Sequence, residues 1–337
     1  MITVVIPTIG RPSLRATLAA VGPDVPVIVV DDRKASGPPG TESARAGTVS
    51  AGGTHEQEPS AVMESLPAHV RVVRSGGRGP AAARNAGWRA AGTPWVVFLD
   101  DDVVPAPGWA EALHKDLIDL PGDVAGSQGR IVVPLPERPP TDAERHTAGL
   151  AGALWVTADM AYRPSVLAAV GGFDERFPRA YREDADLALR VGRAGHRLVV
   201  GERVTAHPVR ADGFWASVRF QRGNADDALM RRLHGPSWRT DIGGGPGRLR
   251  LHALTTATGL TASLLAAASL ATRRRVVPVV AWVAAVGWAG LSAEFAWRRI
   301  APGPRTPGEV LRMSVTSVLI PPVACVHRLR GEWRVRR

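Results

Sequence analysis

Cysteine is almost absent: Cys325 stands alone among 337 residues. A single thiol can form neither an internal disulfide nor a cysteine-based zinc site, which excludes stapled scaffolds and zinc ribbons. Also missing is the Gly-x-Gly-x-x-Gly fingerprint that follows the first strand of a dinucleotide-binding half, so a dinucleotide is not the expected ligand. No nucleic-acid recognition motif and no aromatic-interleaved basic groove accompany the net charge of +11, which argues against nucleic acid as a partner. The amino terminus enters a strand with no basic stretch before it, which predicts no secretory signal and a cytoplasmic catalytic region. Lysine is absent from residues 248–337, where 14 arginines face three glutamates; that part carries the whole +11, and residues 1–247 balance to neutrality. Basic charge beside long apolar runs suggests an anionic membrane surface.

The stretch that organises the chain is Trp95-Val-Val-Phe-Leu-Asp-Asp-Asp-Val-Val-Pro105. Five apolar residues read as a buried strand that runs directly into three carboxylates. Asp100, Asp101 and Asp102 repel one another unless something compensates. A hard cation, Mg²⁺ or Mn²⁺, would do so, commonly shared with a substrate phosphate; a solvated acidic turn is the plain alternative.

The remaining elements suggest an α/β sheet. Ile2–Ile6 reads as a first strand, Ser13 as the cap of a helix from Leu14 to Val21, and Val25–Val30 as a second strand ending in Asp31 and Asp32, acids able to bond a base or ribose. Ala35–Ser60 is rich in Gly, Pro, Ser and Thr and reads as a mobile loop. A third strand, Val70–Val73, leads to a glycine-rich turn and a helix opening at Pro80 with Arg84 and Asn85 one turn inside, a start that favours phosphate. A helix over 108–120, a strand over 126–133, a Pro-rich loop over 134–145, a strand over 155–163 and a short helix to Val170 follow. Glu183, Asp184 and Asp186 crowd a helix start, where the dipole alone would favour them, but where a general base could also sit. His207 lies just past a strand end, as a structural histidine or as a metal ligand. Arg222 lies in a polar segment, as a solvated residue or a phosphate clamp.

Two later runs, 253–272 and 276–297, reach the length of about 20 residues that spans a bilayer. Trp282, Trp288 and Trp297 add interfacial character. A third run, 310–326, is weaker, interrupted by Arg312 and Pro321-Pro322. Arg273-Arg274-Arg275 between the first two runs conflicts with the positive-inside rule if both flanks are cytoplasmic, a conflict that a hairpin lying in the cytoplasmic interface removes.

In order, Val5-Ile-Pro-Thr8, Val29-Val-Asp-Asp32, Gly79-Pro-Ala-Ala-Ala-Arg-Asn-Ala-Gly87, Phe98-Leu-Asp-Asp-Asp102, Gly171-Gly-Phe-Asp-Glu175 and Glu183-Asp-Ala-Asp-Leu187 make the sequence resemble the family-2 inverting glycosyltransferases. The resemblance covers roughly residues 1–230 and implies the GT-A fold, a Rossmann-like mixed sheet flanked by helices, here followed by C-terminal hydrophobic helices. It implies a nucleotide-sugar donor held by Pro7, Thr8, Asp31, Asp32, Arg84, Asn85, Asp100 and Asp101, a metal on Asp102 and His207, and Asp184 as catalytic base, which must then stay ionised. The family's Gln-x-x-Arg-Trp element is missing as written. Arg222 stands roughly in its place for the donor phosphates, and its absence argues for transfer of one hexose or deoxyhexose rather than processive synthesis. The expected organisation is a catalytic domain over 1–235, a linker over 236–252 and a membrane-associated region over 253–337, on the cytoplasmic face of the cell membrane, serving a lipid-linked or other membrane-borne acceptor of the cell envelope. The rivals are a non-catalytic membrane-bound scaffold and a sugar-1-phosphate nucleotidyltransferase. The latter would need a glycine-rich phosphate loop where Ile9-Gly10-Arg11-Pro12 stands.

Overall fold

A computed structural model describes residues 1–34, 59–210, 213–272 and 276–336. The chain divides into two units, 1–134 with 150–208, and 135–149 with 209–337. Most of the loop expected over Ala35–Ser60, and the arginines 273–275, lie outside the described residues; a helix occupies Pro59–Glu64.

The first unit is one eight-stranded mixed sheet: β1 (Ile2–Thr8), β2 (Val27–Asp31), β3 (Val70–Arg74), β4 (Trp95–Leu99), β5 (Val104–Pro105), β6 (Val124–Val132), β7 (Asp159–Tyr162) and β8 (Arg197–Ala206), in the order β3-β2-β1-β4-β7-β6-β8-β5. β1 to β4 are mutually parallel, and β7 runs against both β4 and β6. The parallel strands read as unbroken apolar runs because both faces are covered. Alternation splits them between two cores. Val4, Ile6, Val97 and Leu99 pack with Leu14, Leu18, Trp109 and Leu113. Val5, Val96 and Phe98 pack with Ala81, Trp88, Phe173 and Leu187. Chain direction between strands reverses at β1, which has β2 on one side and β4 on the other. Such a switch point opens a crevice at the carboxyl ends of the strands, where α/β sheets bind ligands.

Several boundaries differ from the sequence expectations. Ser13 has helical dihedrals and makes no side-chain cap; its carbonyl instead accepts from the Ala16 and Thr17 amides. The strand expected over 155–163 is confined to Asp159–Tyr162, with Trp155 turned to φ 66°. Strand β8 runs through Gly201 as one element.

The second unit corrects two further expectations. The loop expected over 134–145 ends in a helix, Asp142–Ala148, closed by a reciprocal capping box between Thr141 and Glu144. That Thr-x-x-Glu spacing is legible in the sequence and outweighs the prolines before it. The third apolar run, discounted for its arginine and prolines, lies in a continuous helix, Pro307–Arg334. It follows Leu249–Thr272 and Val276–Ile300, so among the described residues three helices are long and apolar enough to cross a membrane. They differ in exposure: the apolar windows of the first two are 6% buried, that of the third 33%. The third packs along the helix Gly223–His234, so closely that a Cβ at Gly331 would meet the Ala225 carbonyl oxygen at 2.5 Å.

Candidate active site

The site is built where the parallel strands end. Register pairs Thr8 with Asp31 and Asp31 with Arg74, and places Leu99 beside Asp159, so Thr8, Asp31 and Asp100 emerge at one edge. Pairing of β1 with β4 is recorded from Ile2 to Val5, so Pro7, which lacks an amide hydrogen, sits beyond it.

The three acids have three different fates. Asp100, 28% exposed at its side chain, accepts from Arg84 Nη2 at 2.8 Å. Asp101 is turned inward, accepting from Thr8 Oγ1 at 2.6 Å and from Arg11 Nη1 at 2.7 Å. Burial pushes its pKa up, against the pull of Arg11 and Thr8. Asp102 is buried and lies 4.0 Å from His207 Nε2. The pairing that brings these two together is local: β5 and β8 run antiparallel with Val104 opposite Ala206, which sets Asp102 and His207 at neighbouring ends. His207 Nδ1 lies 3.2 Å from the Pro208 carbonyl. A carbonyl only accepts, so Nδ1 carries the proton of the neutral ring and the Nε2 lone pair is left for another partner. Ligand atoms of Asp100, Asp102 and His207 all fall within 4.8 Å of one another. Two carboxylates and an imidazole form a donor set suited to a divalent cation.

Arg84 ties this cluster to the acidic helix. It is 1% exposed and donates to Asp100 and, through Nη1, to Glu183 at 2.7 Å. Burial opposes its charge, but Asp100, Glu183 and Asp184 hold it protonated. Asp184 sits in the first turn of the helix Glu183–Arg193, behind Arg182 at φ 79°, and takes the Ala185 amide hydrogen at 2.7 Å. Its pKa is raised, first by burial and also by the Asp100 charge, while the Ala185 amide, Arg84 and Arg182 oppose the shift. The expectation that its neighbours leave its pKa low is therefore corrected: burial and the Asp100 charge raise it. Burial likewise pushes Glu183 up, to about 8, against Arg84. Asp186 is tied to Arg190, one turn on.

Other predicted residues are engaged within the protein. Asp31 is gripped by its neighbour Arg33 through the backbone amide, Nε and Nη2, and that guanidinium holds its carboxyl below the usual range. Asp32 fastens the glycine-rich turn, accepting from Ser75 Oγ at 2.6 Å and from the Gly79 amide at 2.9 Å. Asn85 uses its whole amide: it receives from the Phe173 amide and Trp88 Nε1, and donates to the Phe173 carbonyl and Glu175. A Cβ at Gly172 would lie 2.5 Å from Asn85 Oδ1, and one at Gly87 2.3 Å from Val5. These two glycines of the motifs therefore serve close packing. Arg222 is exposed and belongs to the second unit.

Sequence reasoning missed one buried network. Arg203, fully buried, donates to Asp159 Oδ1 at 2.7 Å, to Asp116 at 2.9 Å and to Ser127. Asp159 also receives from Trp109 and Thr205. No spacing signal joins these residues, which lie on four elements and meet only through the sheet.

A nucleotide-binding-type α/β sheet with an acidic, metal-competent strand end defines a GT-A fold. Residues 52–166 match the family model "Glycosyl transferase family 2". Over 135 residues the chain is 36% identical to proteins called pre-mycofactocin glycosyltransferase from two strains of Mycobacterium tuberculosis, CDC 1551 / Oshkosh and H37Rv. The match covers 36% of this chain and 28% of each relative, so the chain aligns with less than a third of those proteins. Among solved structures, a mannosyltransferase from Pyrobaculum calidifontis, in complex with GDP-Man and Mn²⁺, superposes with a TM-score of 0.50 and 18% identity, covering 99% of this chain and 87% of that one.

Proposed function

We propose that this chain is a divalent-metal-dependent, inverting glycosyltransferase that moves one sugar from a nucleotide-sugar donor to a hydroxyl of a membrane-borne acceptor. The observation that carries the reading is the convergence of Asp100, Asp102 and His207, linked through buried Arg84 to the helix that begins with Glu183 and Asp184. The similar mannosyltransferase is bound to a nucleotide sugar and Mn²⁺, which supports a donor and a metal of that class.

In this reading Pro7, Thr8, Asp31 and Asp32 line the nucleoside end, with Arg33 holding Asp31 ionised. Asp101 braces Thr8 and Arg11 from within. Asp102 and His207, with Asp100 beside them, would hold the cation, which would supply charge neutralisation to a departing diphosphate. Asn85 fixes the Gly171–Glu175 turn, and Arg84 keeps Asp100 at a set distance from the acidic helix. Arg222 is the candidate for a donor phosphate. Asp184 takes the proton of the acceptor hydroxyl as that oxygen attacks the anomeric carbon opposite the leaving diphosphate, so one displacement inverts the centre. The exposed hairpin of the two helices within 249–300 dips into the membrane, with the catalytic unit on the cytoplasmic face.

The test is a thermal-shift panel of UDP, GDP, dTDP and CMP with and without Mn²⁺. A ligand that binds only the folded state raises its melting temperature. One nucleotide should stabilise the wild type in a metal-dependent way, and Asp102→Ala should abolish that shift while the protein without ligand melts as before. No shift with any nucleotide in folded protein would favour a scaffold. The anomeric configuration of the product, read by NMR, tests inversion.

A further inference from the structure

The second unit contains a cavity of about 320 Å³ whose wall includes Arg145, His146, Phe220, Phe295, Arg299 and Arg312. Its charges are unequally used. Arg299 is spent on the protein, donating to Asp142, Ser217, Thr316 and Ser317. Arg145 is likewise engaged with the Pro140 and Arg299 carbonyls. Arg312 is not: its Nε and Nη2 are buried without a hydrogen-bond partner, and its Nη1 lies 3.8 Å from Glu309, which itself accepts from the Asp142 amide. A buried guanidinium with an open edge is costly to leave unmatched. Its planar fork fits two oxygens of one phosphate. Beside the three arginines the wall carries apolar Phe220, Phe295 and Ile320, polar Ser217 and Gln221, and Asp142, whose carboxylate is taken by Arg299; His146 stacks on Phe220 with ring centroids 4.6 Å apart.

Position narrows the ligand further. Arg299 stands at the end of one membrane-length helix and Arg312 near the start of the next. If these helices enter a bilayer, that end lies at head-group depth, where arginine meets lipid phosphate.

We infer that this cavity binds the phosphate head group of a membrane amphiphile, with Arg312 as its bidentate partner and the hydrocarbon chain leaving along the exposed apolar helices. The inference rests on the reading that the second unit is membrane-embedded.

The experiment uses the full chain in nonionic detergent. Dodecyl phosphate, dodecanol and inorganic phosphate are titrated by calorimetry into wild type, Arg312→Gln and Gln221→Glu, the last placing a carboxylate in the cavity wall. Saturable binding of dodecyl phosphate alone is expected, weakened about tenfold or more in both variants, as loss of a charge-assisted hydrogen bond predicts. Equal binding of dodecanol would overturn the phosphate assignment. Equally tight binding of inorganic phosphate would make this a free-anion site, and unchanged binding in Arg312→Gln would remove its anchor. The nucleotide and Mn²⁺ thermal shift, run on the same samples, reports folding and the catalytic unit separately. Should Arg312→Gln fail to fold, Gln221→Glu decides, and unchanged binding there overturns the proposal. If wild type binds dodecyl phosphate but no nucleotide, the transferase reading fails while the cavity assignment stands.

Discussion

Asp184 is the residue at which stability and chemistry pull in opposite directions. A base must be ionised to accept a proton, yet burial raises this carboxyl's pKa. The sign follows from linkage: the folded state holds the proton more tightly than the unfolded chain, so stability is greatest below the unfolded pKa and falls as pH rises through the folded one. Above the folded pKa the native state carries the full cost of the charge. Asp184→Asn is therefore expected to raise the melting temperature at pH 7, with wild type and variant converging in acid, as melting curves against pH would register. The same substitution should lower kcat by roughly 10²–10⁴-fold, the usual worth of general-base catalysis, while leaving the nucleotide thermal shift in place. In the wild type, log kcat/KM should fall on the acid side at a pH above the ordinary carboxylate range. A variant with lower stability and full turnover would remove Asp184 from the reaction.

At the scale of elements, two kinds of tie hold the metal donors. One is strand register: the short β5–β8 pair brings Asp102 beside His207. The other is the Arg203 network that links β8 to β6, β7 and the helix Trp109–Ile118. Replacing Arg203 by Met would leave Asp159 and Asp116 buried without their cation. Breaking a buried pair from one side costs about 3–5 kcal/mol, and chemical denaturation should show a loss of that size. Because Arg203 lies four residues before His207, the apparent Kd for Mn²⁺ should rise as well. A variant as stable as the wild type would mean that the network contributes little.

For the whole molecule, the question is what the bare helices meet. Only 6% of each of the first two windows is buried, and Leu264 is 69% and Leu270 86% exposed. Apolar surface of that extent on helices of membrane length calls for lipid or another apolar cover. Leu264→Arg puts a charge inside the first span at a cost of roughly 2.5–3.5 kcal/mol, about a hundredfold in partition. Vesicle flotation should find the variant displaced toward the soluble fraction. Equal flotation would place this helix outside the hydrocarbon.

The sequence by itself determined the parallel strands, the acidic strand end, the family resemblance and the apolar helices, because each is written in contiguous residues: five apolar positions before three acids, a Gly-Pro helix start, apolar runs of about 20 positions. It did not determine how the acids are used. Asp100, Asp101 and Asp102 are neighbours in the chain, yet one meets Arg84, one Thr8 and Arg11, and one lies beside His207, 105 positions away. The raised pKa of Asp184, the Arg203 network and the open edge of Arg312 were equally invisible. Burial and partners come from segments that meet only after folding, and the energy of a charge depends on what surrounds it rather than on what precedes it in the chain.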